Sequence, residues 1–283
     1  MRTDALNALP NPSDMHAALA SALPEFVKTD WVQQTESTNQ DLMTQIHMNL
    51  DESDLPQLKG AHHQTAGRGR AGRRWEDAAG QALMFSCAFE LGPVSALLTG
   101  LGPIIGIVSC ETLRACWPAH ADRLTMKWPN DLMLDNGKLA GILLESQVRK
   151  GRVKLVIGMG LNLTVPAGLS ARLDREVAGL EQLCLEHFDP THLVAELARA
   201  WHQTVITSSK TTSIAAYVQR LMPMDYLHGR QVDIRDGDRI TLSGKAIGIN
   251  TEGALLVQRA TDQSPMAVTI GDVSVRLSAT PSP

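Results

Sequence analysis

The sequence predicts an α+β protein with an all-β tail, and three observations carry the prediction. Up to about residue 222, strand-like runs are interleaved with segments of helical period. From Gly229 the texture changes to short strands separated by tight turns. The chain of 283 residues, 43% hydrophobic and 20% charged, is large enough for one sizeable domain and a small one.

The first 23 or so residues are rich in Ala and Leu, with Pro10, Asn11, Pro12 and Ser13 ahead of a helix expected from Asp14. Residues 31–35 read as a short strand and residues 40–48 as a helix. Ser37 or Thr38 suits the N-cap, which would by itself explain an isolated Ser-Thr-Asn. A helix N-terminus also favours a bound polar or anionic group. Residues 51–56 form a loop, and residues 59–64 form a strand that delivers the next segment. His62 and His63 point to opposite faces of that strand and have no acidic or Cys partner at ligand spacing, so they do not make a metal site.

Gly67-Arg68-Gly69-Arg70-Ala71-Gly72-Arg73-Arg74-Trp75 crowds four arginines and three glycines into nine residues. Glycine lets the backbone take positive φ and approach a ligand closely, and the guanidinium fork matches carboxylate or phosphate. The loop therefore reads as an anion clamp that repels itself until an anion arrives. The letters also fit G-x-G-x-x-G, but that fingerprint needs a helix after the glycines. Here a turn and the strand-like run 82–89 follow.

No residue from Leu91 to Cys110 is charged, yet Gly92, Pro93, Gly100, Gly102, Pro103 and Gly106 break the run. A buried helix through Leu97, Leu98, Leu101, Ile104, Ile105 and Val108 explains it better than a membrane span. Lys127-Trp128-Pro129-Asn130-Asp131 follows a short strand that Pro129 stops. Lys127, backed by Trp128, is a point charge of the kind used on phosphate or carboxylate oxygens, although a Lys127–Asp131 surface ion pair is the duller reading. Residues 138–145 and 152–163, joined by Arg149-Lys150-Gly151, read as a hairpin, and Gly158 and Gly160 inside it suggest close approach of backbone or ligand. Residues 189–222 carry a helical period with a break and are structural. Strands at 231–234, 239–249, 254–258 and 267–277, with turns at Asp236-Gly237 and Glu252-Gly253, form a small β-barrel behind the linker Met222-Pro223-Met224.

A net charge of −4 gives no electrostatic case for bulk nucleic-acid binding. Cys87, Cys110, Cys116 and Cys184 form no C-x-x-C pair and read as free thiols in a reducing compartment. The N-terminus has no continuous apolar core of a signal peptide, which argues for a cytoplasmic protein.

The ordered set STNQ (37–40), QTAGRGRAGRRW (64–75), KWPNDLML (127–134), KLAGILLE (138–145) and IGMGLNL (157–163) closely resembles the biotin protein ligase family. The similarity runs from about Trp31 to the C-terminus, and the GRGR and KWPND elements in this order and spacing are specific. The resemblance implies a mixed, mostly antiparallel sheet flanked by helices, related to lipoate ligases and class II synthetases, plus an SH3-like barrel. It divides the chain into an N-terminal extension (1–30), a catalytic biotin- and ATP-binding domain (31–224) and the barrel (225–283).

The resemblance further implies an ATP-dependent ligase. Biotin and Mg-ATP give biotinyl-5′-AMP, and the acyl group passes to a lysine of a biotin carboxyl carrier protein domain of a carboxylase. Ser37, Thr38, Asn39 and Gln64 would hold biotin. Arg68, Gly69 and Arg70 would close over biotin and the adenylate, and Lys127 would lie on the reacting carboxylate and α-phosphate. Arg70, Arg73, Trp75, Asn130 and Asn162 would face the nucleotide, Trp75 as a wall and Asn162 towards adenine. Asp131 is a Mg²⁺ candidate only by its nearness to Lys127. No DNA or membrane partner is implied, and a homodimer is left open.

Ala71 stands where such loops commonly carry a third arginine, so the loop is expected to order less tightly. The N-terminal winged-helix domain of some members is missing, which points to a ligase without repressor function. A lipoate or octanoate ligase on the same fold would show a different arginine–glycine motif followed by His-Asp. A non-catalytic biotin sensor would bind biotin without releasing pyrophosphate.

Overall fold

The computed structural model describes residues 9–48, 54–75, 80–93, 100–173, 175–185, 187–208, 214–260, 264–271 and 273–278. Helix α1 (Pro12–Ala22) opens the chain, with Pro at its first turn and the Asn11 side chain accepting from the Asp14 N–H. Strand β1 (Lys28–Thr35), helix α2 (Thr38–His47), strand β2 (Gln57–Gln64), strand β3 (Ala82–Pro93) and helix α3 (Leu101–Cys116) follow. Four antiparallel strands come next: β4 (Leu124–Lys127), β5 (Asp131–Leu134), β6 (Gly137–Arg149) and β7 (Arg152–Asn162). Helices α4 (Leu169–Leu173), α5 (Pro190–Ser208) and α6 (Ala215–Leu221) lead to the C-terminal module.

The seven strands form one sheet in the order β1-β2-β3-β7-β6-β5-β4. Only β1 and β2 run parallel; every other neighbour is antiparallel, so the expected mixed, mostly antiparallel sheet is present. The β6–β7 hairpin turns through Lys150 and Gly151, both at positive φ, as the charged turn required.

Two cores lie on the two faces of this sheet. The large one holds Met15 and Leu19 of α1, Phe85 and Phe89 of β3, Ile104 and Ile105 of α3, and Leu197 and Trp201 of α5. Trp201 stacks on Phe85 at 5.1 Å and donates its ring N–H to Ser109 Oγ at 2.8 Å. The charge-free run is thus a buried helix from Leu101 onward; Leu97 and Leu98 lie outside the described residues. Among the described residues no helix is long and apolar enough to cross a membrane. The small core, Leu42, Met43 and Ile46 with Ala88 and Val156, seats α2 alone on the other face.

His62 has a structural task. Its Nδ1 accepts from Trp31 Nε1 at 2.9 Å, and its Nε2 lies 2.9 Å from the Pro10 carbonyl oxygen, which fits a neutral ring with the proton on Nε2. Burial pushes its pKa down, in keeping with that neutral form. The strand expected at 31–35 begins earlier, at Lys28, and residues before 31 contribute to the main core through α1.

The C-terminal module is a five-stranded antiparallel sheet, ordered β11-β10-β9-β8-β12. Its strands are β8 (Gln231–Asp236), β9 (Arg239–Ile249), β10 (Leu255–Gln258), β11 (Met266–Val268) and β12 (Val273–Leu277). The single strand expected over 267–277 is a correction: it is two, β11 pairing with β10 and β12 crossing to the far edge beside β8. The interruption falls at Ile270 and Gly271. The module is fastened to the first domain by Trp128, whose buried ring donates to the Gly253 carbonyl at 2.8 Å, and by Tyr226 N–H bonding Met126 O at 3.0 Å.

Candidate functional site

Strand alternation decides which side chains reach the site. On β7, Leu155, Ile157 and Leu161 enter the large core, so Val156, Gly158 and Gly160 face the α2 side. On β3, Leu83, Phe85 and Cys87 go to the large core and Ser86 and Ala88 to the other side. Register then pairs Gly158 with Ser86 on one neighbour and with Leu143 on the other, and Gly160 with Gly141. A shallow floor of glycines results, with the start of α2 hanging over it.

Ser37 caps α2 by accepting from the Gln40 N–H at 3.4 Å, which settles the cap on Ser37. This places Thr38 and Asn39, both buried, over the floor. Gln64, at the end of β2, accepts from the Thr38 N–H at 2.8 Å. The Thr38 and Ser86 hydroxyls lie 2.7 Å apart, Ser86 donates to Asn39 Oδ1 at 2.5 Å, and Asn39 Nδ2 donates to Glu145 Oε2 at 3.0 Å. Gly158 has to be glycine: a Cβ there would overlap Asn39 Oδ1 and stand 2.9 Å from Ser86 Oγ.

The arginine loop closes on itself through Trp75 N–H to Gly67 O at 3.0 Å and Gly69 N–H to Arg73 O at 2.7 Å. Its charges rest on acceptors outside the loop. Arg68 pairs with Glu145 at 3.2 Å and donates to Gln40 Oε1 at 2.6 Å. Arg70 donates to Asn130 Oδ1 at 3.3 Å and to the Gly271 carbonyl of the C-terminal module at 2.8 Å. Nothing is described of the Ala71 side chain.

Trp75 packs across the glycine floor: a Cβ built on Gly160 would overlap its ring, and one built on Gly141 would lie 3.0 Å from it. The Lys138 ammonium sits 5.7 Å from the Trp75 ring centroid. Lys138 also pairs with Asp131 at 2.5 Å, so the Lys127–Asp131 surface pair, the duller reading of Lys127, is not made. The two residues are cross-strand neighbours, but the lysine that reaches the carboxylate comes from β6, one strand further over.

Burial tends to raise the Asp131 pKa, but Lys138, then Lys127 and Arg175, outweigh it and hold the carboxyl below its usual range. Lys127 and Lys138 are both pushed down, first by burial. Asp131 opposes that shift at each, while Arg276 and Arg175 add to it at Lys127, and Arg175 and Arg73 at Lys138. Among the described residues Lys127 makes no ion pair. One carboxylate amid several cations leaves a surplus of positive charge, which is an environment for anions.

These parts line one cavity of about 1900 Å³ that runs between the first domain and the C-terminal sheet. Ser37, Thr38, Asn39 and Gln64 are on its wall, as are Arg68, Gly69, Arg70, Arg73 and Trp75 of the loop and Lys127, Asn130 and Asp131 of the KWPND turn. Asn162 is the exception. It is not on the wall; it is buried, and its Nδ2 donates to Ala178 O at 3.0 Å and Lys138 O at 3.3 Å, tying the chain after α4 to β6. Sequence reasoning missed Ser86, Glu145 and Lys138. Ser86 is a polar letter in an apolar run, and the other two open and close the KLAGILLE motif.

The model of the Biotin/lipoate A/B protein ligase family matches residues 31–162, and that of the biotin protein ligase C terminal domain matches residues 227–276. The bifunctional ligase/repressor BirA of Escherichia coli is 34% identical over 231 residues, covering 79% of this chain and 67% of that protein. The chain belongs to the biotin protein ligase family. A biotin--[acetyl-CoA-carboxylase] ligase of Mycobacterium tuberculosis is 30% identical over 190 residues, 62% of this chain and 64% of that one. Among solved structures, the biotin protein ligase of Aquifex aeolicus in complex with biotin and ATP superposes with a TM-score of 0.70 at 22% identity, over 89% of this chain and 100% of that one. Family membership makes the chain a ligase, and the likeness to the Aquifex structure places its two-module architecture with the biotin protein ligase fold.

Proposed function

We propose that the chain joins biotin to AMP and then passes the biotinyl group to a lysine of a biotin carboxyl carrier domain. The observation that carries this is one continuous cavity: a neutral polar corner at the start of α2 that runs into a cationic wall and a tryptophan. Biotin presents a cyclic urea at one end and a carboxylate at the other. The Thr38–Ser86–Asn39 corner offers a urea both donors and acceptors, and its row of hydroxyls and amides is held in place at both ends, by Gln64 and by Glu145.

In the first step a biotin carboxylate oxygen attacks the α-phosphorus of ATP. The bond to the bridging oxygen breaks, and pyrophosphate leaves with that electron pair. Two anions must be brought together, so positioning and fixed positive charge do most of the work. Lys127, Lys138 and Arg70 supply the charge, Lys138 over Trp75 where an adenosine would lie against the ring. In the second step the acceptor amine attacks the acyl carbon and AMP leaves. Closure of Arg68 and Arg70 over the mixed anhydride keeps water from it.

The residues present do not build a Mg²⁺ cage. Asp131 is engaged by Lys138, and no group of three or more His, Cys, Asp or Glu side chains converges among the described residues. Mg²⁺ would arrive on the triphosphate, as it commonly does, and no step here is routed through a protein-held metal.

The test is ATP- and biotin-dependent mass gain on a purified carrier domain, with lipoate in a parallel reaction. A shift of one biotin supports the reading. Modification by lipoate alone, or biotin binding without transfer or pyrophosphate release, overturns it.

A further inference from the structure

Resting on that reaction, we propose that Glu145 is the positioning residue that couples recognition of the biotin ring to the arginine loop. Glu145 lies within β6, opposite Val156 of β7, and its two oxygens serve different partners. Oε2 accepts from Asn39 Nδ2 at 3.0 Å, and Oε1 pairs with Arg68 at 3.2 Å.

The polarity of the whole corner follows from that carboxylate. A carboxylate only accepts, so the Asn39 amide turns its nitrogen to Glu145 and its oxygen to Ser86. Ser86 then spends its proton on Asn39 Oδ1, at 2.5 Å, and has none left for Thr38, 2.7 Å away. Thr38 must donate to Ser86, and Gln64 Oε1 is served by the Thr38 N–H at 2.8 Å instead of by the hydroxyl at 3.2 Å. Each hydroxyl direction along the row is therefore dictated from one end. A cyclic urea, with one carbonyl between two N–H groups, can be read only by a row whose donors and acceptors do not scramble.

The other oxygen gives the coupling. Arg68 rests on the same carboxylate that orients Asn39, and Gln40 of α2 accepts from the same guanidinium at 2.6 Å. Movement of Arg68 towards a bound anion changes the partner set of Glu145 and, through it, the hold on Asn39.

Glu145→Gln separates the possibilities, because an amide must turn its nitrogen towards either Asn39 or Arg68, donor against donor. In the full chain, the biotin Kd is expected to rise by about ten-fold or more, the scale of one charge-assisted hydrogen bond. Release of biotinyl-5′-AMP is expected to quicken by more than that factor, and in an Arg68→Ala background the excess should shrink below about two-fold while the Kd effect persists. Ser86→Ala, which cuts the row beyond Asn39 and leaves Arg68 in place, is expected to raise the biotin Kd and to quicken release by no more than that same factor. A Glu145→Gln Kd within about two-fold of the unaltered chain, or a cycle with Arg68→Ala that is additive in the release rate, overturns the assignment. So does an equal excess of release over the Kd effect in Ser86→Ala. Absence of biotin binding by the unaltered chain overturns the proposed reaction itself.

Discussion

Gly158→Ala is the most demanding test of the site's geometry. Strand β7 lies between β3 and β6 and is paired along its length on both sides, so its backbone has no freedom to withdraw. The added methyl would overlap Asn39 Oδ1 and lie 2.9 Å from both Asn39 Cγ and Ser86 Oγ. Interiors packed this closely do not absorb such an overlap, and the Asn39 amide has to leave. It would lose the 2.5 Å bond from Ser86 and the 3.0 Å bond to Glu145. One neutral hydrogen bond at about 1 kcal/mol and one to a charged group at about 2 kcal/mol come to roughly 3 kcal/mol. Biotin affinity should fall by roughly a hundred-fold, measured by calorimetry on folded protein. A Kd within about two-fold of the unaltered chain would show that Asn39 is not held over the floor as described.

Lys127→Ala and Lys138→Ala should each lower biotin-dependent pyrophosphate release by at least about a hundred-fold with a native circular dichroism spectrum; normal turnover in either removes that lysine from the chemistry. Arg70→Ala should speed the escape of biotinyl-5′-AMP, and an unchanged dissociation rate counts against a clamp. Burial and neighbouring cations hold the Lys127 and Lys138 pKa values low, so the protonated fraction falls as pH rises through those lowered values. The alkaline limb of kcat/KM for ATP should then begin below the ordinary lysine range, and a limb at the ordinary position refutes this. Burial holds the Asp225 carboxyl above its usual range despite the Leu227 N–H and His228. Its ionised form is the disfavoured one in the folded chain, a penalty absent below the unfolded pKa and complete above the folded one. Asp225→Asn keeps an acceptor for the Leu227 N–H, so its Tm should exceed that of the unaltered chain at neutral pH, with the gap closing in acid; a lower Tm at neutral pH refutes it.

Local signals carried most of the fold. The hairpin was legible because Arg149-Lys150-Gly151 separates two long apolar runs, and α5 because Leu193, Leu197, Trp201 and Val205 keep one face. The split of 267–277 was not legible, since its cause is β12 finding β8, a partner some 40 positions upstream. In the site, Arg68, Arg70 and Lys127 announced themselves as charge out of place. Lys138 and Asp131 did not, because their pairing crosses from β6 to β5 and spacing along the chain pointed to Lys127 instead. Asn162 sits in a glycine-flanked motif like a ligand residue, yet its amide nitrogen braces the loop after α4. Gly158 and Gly160 were read as sites of close approach by backbone or ligand; close approach is present, but it is by the side chains of Asn39 and Trp75, from segments that only the fold brings there.

Helix α2 has a different standing from the other long helices. It rests on a separate cluster of five buried apolar side chains, three of its own and one each from β3 and β7, apart from the large core that unites α1, α3 and α5. Its attachment free energy is therefore a small fraction of the whole, and such elements open locally while the rest of the domain stays folded. The corner that reads the ring is thus carried on one of the least anchored pieces of the domain. Ligand would contribute a large share of that piece's order, so hydrogen exchange along α2 would report occupancy of the cavity long before global unfolding did.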